Sequence, residues 1–246
     1  MDNSHILEWL LEPENPSLRF RTQTEILNLD ETSPEVSSTK ENIPSSKPVQ
    51  RIFQKMHPDG YWLQKNPRTG ELIGDGVVYG SYATTHFILA YLSELALTRQ
   101  YTVIEKAANR YLNLLNNEGD WWNHMSCLYG YNIRTFIRLG YKNDRRLQNA
   151  IRQMLETDRE DGGYLCDMHD GKYKTRETKS CIRGSVKTLM AFAELPEYHN
   201  HPRCLKLVSY FLNRGGIFNS TKTELVNRDM KIFSFPITWG ANSWEI

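Results

Sequence analysis

The chain has 246 residues, enough for one sizeable domain or two small ones. Apolar residues make up 39% and charged residues 24%, which is ordinary for a globular protein, and the net charge of +1 gives no reason to expect a nucleic-acid or acidic-membrane partner. No apolar run approaches the ~20 residues that span a bilayer, and Met1–His5 lacks the basic-then-apolar layout of a signal peptide.

Residues 1–47 are predicted to form a helical extension and a tether. Apolar periodicity predicts one helix over Ile6–Leu11 and a second from Asn15 through Leu27. Thr32–Lys47 is rich in serine and interrupted by proline, so we interpret it as a weak helix or tether whose latter half is loop.

From residue 48 to residue 246, helices alternate with glycine turns. Amphipathic helices are predicted over Val49–Met56, Val103–Leu115, Leu147–Leu155 and Leu205–Leu212. Each ends at a glycine turn with a large apolar or aromatic residue, as in Asp161–Tyr164. Helices with few charges follow three of the turns, over Tyr79–Leu97, Cys127–Leu139 and Cys181–Leu195.

Aligned on Gly80, Gly130 and Gly184, these second helices recur at a spacing of about 50 residues. Two helices per repeat indicate an all-α array in which no repeat buries its apolar face alone. The first helix of each pair is amphipathic, as in Ile104–Leu112, and suits an outer layer. The second, such as Ala83–Leu92, is apolar nearly all round and suits an inner layer, so we predict a toroid-like array.

The helix, Asp-Gly-Gly-Tyr-type turn and second helix resemble the repeat of the α/α toroid superfamily of prenyltransferases and squalene (terpenoid) cyclases. The resemblance covers residues 48–246, and Asn15–Arg21 is similar to the lead-in of uncharacterised bacterial proteins of this group. It implies an α/α toroid. Since a closed ring of six hairpins needs more chain than this, we expect an incomplete or open ring.

The chemistry of the family gives tests for function, which fold alone does not decide. The Asp-x-Asp-Asp motif, with which cyclases keep one carboxylic acid protonated, is absent from the sequence, and Asp158–Asp161 has the wrong spacing. The Asp-Asp-x-x-Asp motif that holds magnesium is absent as well. Neither cyclase mechanism is supported by the sequence.

Zinc-thiolate chemistry is the third option that the resemblance implies. Protein prenyltransferases place Asp, Cys and His at the cavity, and lanthionine cyclases use two Cys and a His. Cys127 and Cys181 begin equivalent inner helices, Cys166 and His169 lie in the loop before the second, and His124 precedes Cys127 by about one turn. We therefore predict a zinc site at the cavity rim, formed by the three cysteines with His169 or His124.

Other interpretations of the cysteines stay open. The zinc could be structural or catalytic, two thiols could form a redox pair, and a single cysteine is more often a small buried apolar residue. Cys204 fits that last description. Because we expect a cytoplasmic protein, disulfides are the less favoured role.

Two further residues are candidates for catalysis. His86 lies within an inner helix, and Asp75 lies between two glycines that precede that helix. A histidine packed in the core and an aspartate in a turn or helix cap are the more common roles of such residues.

Four inner-helix residues are candidates for a substrate pocket, namely Tyr129, Arg134, Arg183 and Lys187. Their cations suit an anionic head group, although ion pairs with Glu94 or Asp120 are the more common role of such side chains. Tyr129 suits an apolar wall or packing between repeats.

Together these features predict an enzyme related to terpenoid cyclases and prenyltransferases, with a Cys/His zinc site and a small apolar or isoprenoid-like ligand. The alternative is a scaffold or apolar-ligand-binding repeat module whose cysteines are structural.

Overall fold

The structure is a computed structural model that describes residues 4–62, 64–65, 68–70, 72–73, 85–113, 126–166, 177–216, 218–219 and 221–226. It is mostly helical, which confirms the all-α class at that level. Among the residues described, no helix has the length and apolar character needed to cross a membrane. The chain divides into two compact units, Met1–Ala107 and Ala108–Ile246. The predicted division at residue 47 stays a prediction.

The first unit contains short helices and one small hairpin. Its helices are α1 (Ser4–Leu10), α2 (Pro16–Arg21) with a π-helical continuation over Thr22–Ile26, α3 (Pro34–Asn42), α4 (Lys47–Phe53), α5 (Thr85–Glu94) and most of α6 (Thr102–Leu112). The hairpin pairs β1 (Gln64–Lys65) with β2 (Leu72–Ile73) in antiparallel register, with Gln64 opposite Ile73.

The prediction that the latter half of residues 32–47 is loop was wrong. The segment forms α3, a 3₁₀ turn over Ile43–Ser45 and the start of α4. The prolines lie in the first turns of these elements, where a missing N–H costs no helical hydrogen bond. Val36 and Ile43 are completely buried, so burial of apolar side chains fixes a segment whose composition suggested a tether.

The second unit is built from longer helices. They are α7 (Ser126–Phe136) with a π-helical continuation over Ile137–Tyr141, α8 (Arg145–Glu156), α9 (Ile182–Ala193) and α10 (Pro202–Arg214), with a 3₁₀ turn over Pro196–Tyr198. α8 buries one face, through Leu147, Ala150, Ile151 and Met154, whereas α9 is buried nearly all round. This is the predicted alternation of amphipathic and apolar helices.

A glycine turn in the first unit is fixed by three sets of contacts. Gly60 has a φ of +87°, and a Cβ there would lie 2.9 Å from Cγ of Lys106 in α6. The backbone N–H of Trp62 donates to Oγ1 of Thr85 at 3.1 Å, and its indole Nε1 donates to the carbonyl of Ile52 at 2.8 Å. These contacts hold the turn against α4, α5 and α6.

The second unit repeats these contacts at the Asp161–Tyr164 turn. Gly162 has a φ of +82°, and a Cβ there would lie 2.8 Å from the carbonyl oxygen of Lys206 in α10. The N–H of Tyr164 donates to Oγ of Ser185 at 2.9 Å, and its phenol donates to the carbonyl of Met154 at 2.6 Å. A tyrosine hydroxyl here replaces the indole N–H of the first unit.

The spacing of these contacts fits the repeat that the sequence predicts. Trp62 and Tyr164 are 102 residues apart, and Thr85 and Ser185 are 100 apart, each about two periods of 50. The glycine alignment differs by one helical turn, since it sets residue 81 rather than Thr85 level with Ser185. The contacting hydroxyls therefore define the register better than the glycines do.

The backbones of helices α7 and α9 come into contact at Gly130. A Cβ added to Gly130 would lie 2.5 Å from the carbonyl carbon of Lys187 and 2.5 Å from the amide nitrogen of Thr188. Because both atoms belong to the main chain of α9, they cannot turn away as a side chain would. Gly130 is thus what allows the two helices to pack this closely.

We expect Gly130→Ala to lower the free energy of unfolding by about 3 kcal/mol, because the added methyl group forces the two backbones apart. Urea titration followed by circular dichroism measures the change. Arg145→Ala, at an exposed position of α8, is the control and should change stability by less than about 0.5 kcal/mol. A Gly130→Ala variant as stable as this control would contradict the close packing.

Candidate functional site

The three cysteines predicted as ligands lie near the N-terminal ends of α7 and α9. Cys127 is the second residue of α7, and Cys181 immediately precedes α9. Cys166 lies two residues after Tyr164, whose carbonyl accepts the N–H of Cys181 at 2.8 Å. Cys127 and Cys166 are buried and Cys181 is half-buried, and none of the three forms a disulfide with another described cysteine.

The described parts of the chain contain no group of three or more His, Cys, Asp or Glu residues placed to hold a metal ion. Two predicted ligands, His124 and His169, lie outside those parts. The sulfur of Cys181 has a structural contact, since it accepts the backbone N–H of Gly184 at 3.5 Å and caps α9. The zinc site stays a prediction.

The predicted pocket residues Tyr129 and Arg134 have partners within the second unit. The hydroxyl of Tyr129 donates to Oε1 of Gln153 at 2.7 Å. Nε of Arg134 lies 3.3 Å from Oε1 of Glu194, which also lies 2.9 Å from Nε of Arg138. Arg134 therefore forms an ion pair with Glu194, an acid not predicted from the sequence, and the predicted Asp120 lies outside the described residues.

Lys187 is completely buried on α9. Its Nζ lies 5.3 Å from the centroid of the Tyr131 ring and 3.9 Å from the sulfur of Met190. Arg183, one turn earlier, is half-buried. Lys187 thus lies inside the packed helices, whereas Arg183 is accessible.

The predicted catalytic histidine lies in the core of the first unit. His86 is 1% exposed, and its ring centroid lies 4.0 Å from that of Phe87. Burial lowers the pKa of His86 to about 3, so the ring is neutral at physiological pH. Asp75, its predicted companion, lies outside the described residues.

A pocket of about 390 Å³ lies in the second unit, on the side of the Asp161 turn. Its walls come from that turn, from the segment that leads into α9, and from the end of α10. The lining residues are Asp161, Glu177, Lys179, Ser180, Tyr210, Asn213 and Arg214. Segments far apart in sequence thus place charged, amide and hydroxyl groups around one space.

Asp161 ties two of these walls together. Its Oδ1 accepts the backbone N–H of Gly163 at 3.2 Å and the hydroxyl of Ser180 at 2.5 Å, while Oδ2 accepts the N–H of Ser180 at 2.8 Å. Burial opposes the charged form, but the hydrogen bonds from Ser180 and Gly163 outweigh it and lower the pKa of Asp161. The carboxylate is therefore ionised and held in place.

Arg214 and Tyr210 form the α10 wall. The guanidinium carbon of Arg214 lies 4.8 Å from the centroid of the Tyr210 ring, and Nη1 donates to the Tyr210 hydroxyl. Nε donates to the carbonyl of Phe218 at 2.9 Å. Burial raises the pKa of Tyr210, so its hydroxyl keeps its proton at neutral pH. The guanidinium is thereby held in one orientation.

Arg203 holds α10 against the turn that forms one wall of the pocket. It is 5% exposed, its guanidinium stacks 3.9 Å from the centroid of Tyr164, and its Nη atoms donate to the carbonyls of Gly162 at 3.0 Å and Gly163 at 2.8 Å. Three carbonyls are satisfied in all, because Nε donates to Thr157. α10 and the Asp161 turn are thus joined through one side chain.

Sequence reasoning did not identify this pocket. Asp161 was recognised as a turn residue, and the cations were sought only on inner helices. Two signals were present, namely the tyrosine after the turn glycines and an arginine immediately before Gly215, at the end of an amphipathic helix. Neither indicates that Ser180 and Arg214 line one space, since that depends on how α10 packs against the turn.

Comparison with known proteins adds no assignment. No protein-family model matches the sequence. No curated protein matches it either. The functional argument therefore depends on the geometry of the described residues.

We expect the free energy of unfolding to fall by about 2 kcal/mol between pH 7 and pH 5 because of His86. Its pKa is about 3 when folded and ~6.5 when unfolded, so the unfolded state takes up the proton first as pH falls, and the stabilisation present above pH 6.5 is lost. Urea titrations at each pH measure this loss.

His86→Gln should remove most of the pH dependence between 7 and 5, even where it lowers stability overall. His57→Gln, at a partly exposed ring in the same unit, is the matched control and should keep the dependence. An unchanged slope in His86→Gln would contradict the burial of a neutral imidazole.

Proposed function

We propose that this chain is a helical-hairpin repeat protein that binds a small molecule in the pocket formed by the Asp161 turn, residues 177–180 and α10. The observation that carries the proposal is the pocket itself. Its volume of about 390 Å³ lies within the range of ~300–1,000 Å³ typical of small-molecule sites, which place a few polar groups at defined positions.

The electrostatics of the lining also support a binding site. The pKa of Asp161 is lowered and that of Tyr210 is raised, and titratable groups with perturbed pKa values concentrate in functional clefts. Both groups have structural partners, which keeps them fixed in position. A binding surface that is already ordered loses less entropy when a ligand binds.

The arrangement of the hairpins as an α/α toroid, and membership of the terpenoid cyclase and prenyltransferase group, are part of this proposal. The recurrence of the Trp62 contacts at Tyr164 supports a repeat of that type. The lining combines charged and hydroxyl groups with a larger share of apolar surface. It therefore favours a small molecule that carries both a polar or charged group and an apolar part, over a purely apolar, isoprenoid-like one.

Binding at this pocket is tested with a library of soluble fragments of about 20 non-hydrogen atoms or fewer, followed by amide NMR shifts. We expect some fragments to shift the amides of Ser180 and Asn213. Asn213→Trp should abolish these shifts because the indole fills the pocket, while Arg145→Trp on the exposed face of α8 should leave them intact. Shifts that persist in Asn213→Trp would contradict the proposal.

A zinc-dependent enzyme of the same superfamily is the second candidate. It is favoured by one observation, that Cys127 and Cys181 lie at corresponding ends of two packed helices while Cys166 is close in sequence to a partner of Cys181. Zinc held by three of these four side chains would keep one coordination position open and could activate water or a thiol there, whereas zinc held by all four would be a closed structural site.

Elemental mass spectrometry of protein purified without chelator tests the zinc candidate. About one zinc per chain is expected if the site exists, and Cys181→Ser should lower this ratio severalfold. Cys204→Ser is the control, because that thiol is buried in α10 and does not belong to the predicted ligand set. A ratio near zero in the unmodified protein would eliminate this candidate and leave small-molecule binding untouched.

A further inference from the structure

We infer that the pocket binds a ligand with a single negative charge, a monocarboxylate, through the guanidinium of Arg214. The inference rests on the proposed function, since it names the ligand class of the same pocket. It depends on three features of the described residues: the orientation of Arg214, the charge of the other lining groups, and the size of the space.

The protein holds the guanidinium of Arg214 in place, but among the described residues some of its N–H groups have no hydrogen-bond acceptor. It stacks on the Tyr210 ring, Nη1 donates one hydrogen bond to the Tyr210 hydroxyl, and Nε donates to the carbonyl of Phe218. Among the described residues, Nη2 donates no hydrogen bond and no carboxylate forms an ion pair with Arg214. The remaining N–H groups of Nη1 and Nη2 form a fork that matches the two oxygens of a carboxylate.

Both acids that line the pocket already have partners within the chain. Asp161 accepts three hydrogen bonds from Ser180 and Gly163. Glu177 lies 3.8 Å from Nη2 of Arg159, although it is largely exposed. The described lining therefore offers Arg214 no acidic partner. The anionic group of a bound ligand would supply one.

The same acids limit how much negative charge the pocket accepts. Lys179 and Arg214 contribute two positive charges to the lining, and Asp161 and Glu177 contribute two negative charges. Because these charges cancel, a ligand with two or more negative charges would leave the occupied pocket with a larger net negative charge than a monocarboxylate would, at a greater electrostatic cost. A monocarboxylate places its single charge on Arg214 and extends an uncharged chain into the remaining space.

The test titrates the full chain with three probes that share a similar size but differ in charge. They are hexanoate, hexylammonium and inorganic diphosphate, each followed through the amide shifts of Ser180 and Asn213. We expect hexanoate to bind at least ten times more tightly than the other two. Arg214→Gln should weaken hexanoate binding roughly ten- to hundredfold, the range expected for hydrogen bonds to a charged group.

One further variant separates the effect of the planar fork from that of the positive charge, and a second variant is the control. Arg214→Lys keeps the positive charge but lacks the planar fork, so it should also weaken hexanoate binding clearly. Arg145→Gln removes an exposed arginine elsewhere in the unit and should bind as the unmodified protein does. Amide spectra of each variant, taken before titration, show whether it is folded.

The outcomes distinguish the two proposals. If none of the fragments or probes shifts these amides, the proposed function fails and the inference fails with it. If diphosphate or hexylammonium binds there and hexanoate does not, the pocket is real and the inference alone is overturned. Hexanoate binding that is unchanged in Arg214→Gln would overturn it as well.

Discussion

The structure depends on the residue that follows each glycine turn. Trp62 and Tyr164 each donate a backbone N–H to a hydroxyl on the following helix and a side-chain N–H or O–H to a carbonyl of the preceding helix. A large ring with one polar end can fill space between helices and still satisfy its donor. One residue thereby sets the distance and register of a hairpin in each unit.

The candidate site follows from that constraint. Since Tyr164 is held by Met154 and Ser185, its ring offers a fixed surface on which Arg203 stacks. Arg203 then joins α10 to the turn, and α10 brings Arg214 to the pocket that Asp161 also lines. The shape of the pocket thus depends on how the turn packs. A substitution at Tyr164 that disturbs this packing would therefore also displace Arg214, through Arg203 and α10.

The sequence predicted what local patterns control. Periodicity located the helices and distinguished α8, which is buried on one face, from α9, which is buried nearly all round, and the turn glycines marked hairpin ends. It failed at residues 32–47, where the burial of Val36 and Ile43 decides the conformation, and at the pocket, which the Asp161 turn and the end of α10 line together although they are far apart in sequence. A local sequence pattern does not reveal which side chains the fold buries or how distant segments pack together.

Hydrogen exchange of the Trp62 and Tyr164 backbone amides, measured by NMR, tests the central claim most directly. Both residues lie just after turns, where amides normally exchange quickly. If their hydrogen bonds to Thr85 and Ser185 fix the hairpins, both amides should exchange as slowly as those in the middle of α5 and α9. Exchange as fast as that of the exposed turn residue Asp59 would contradict the account.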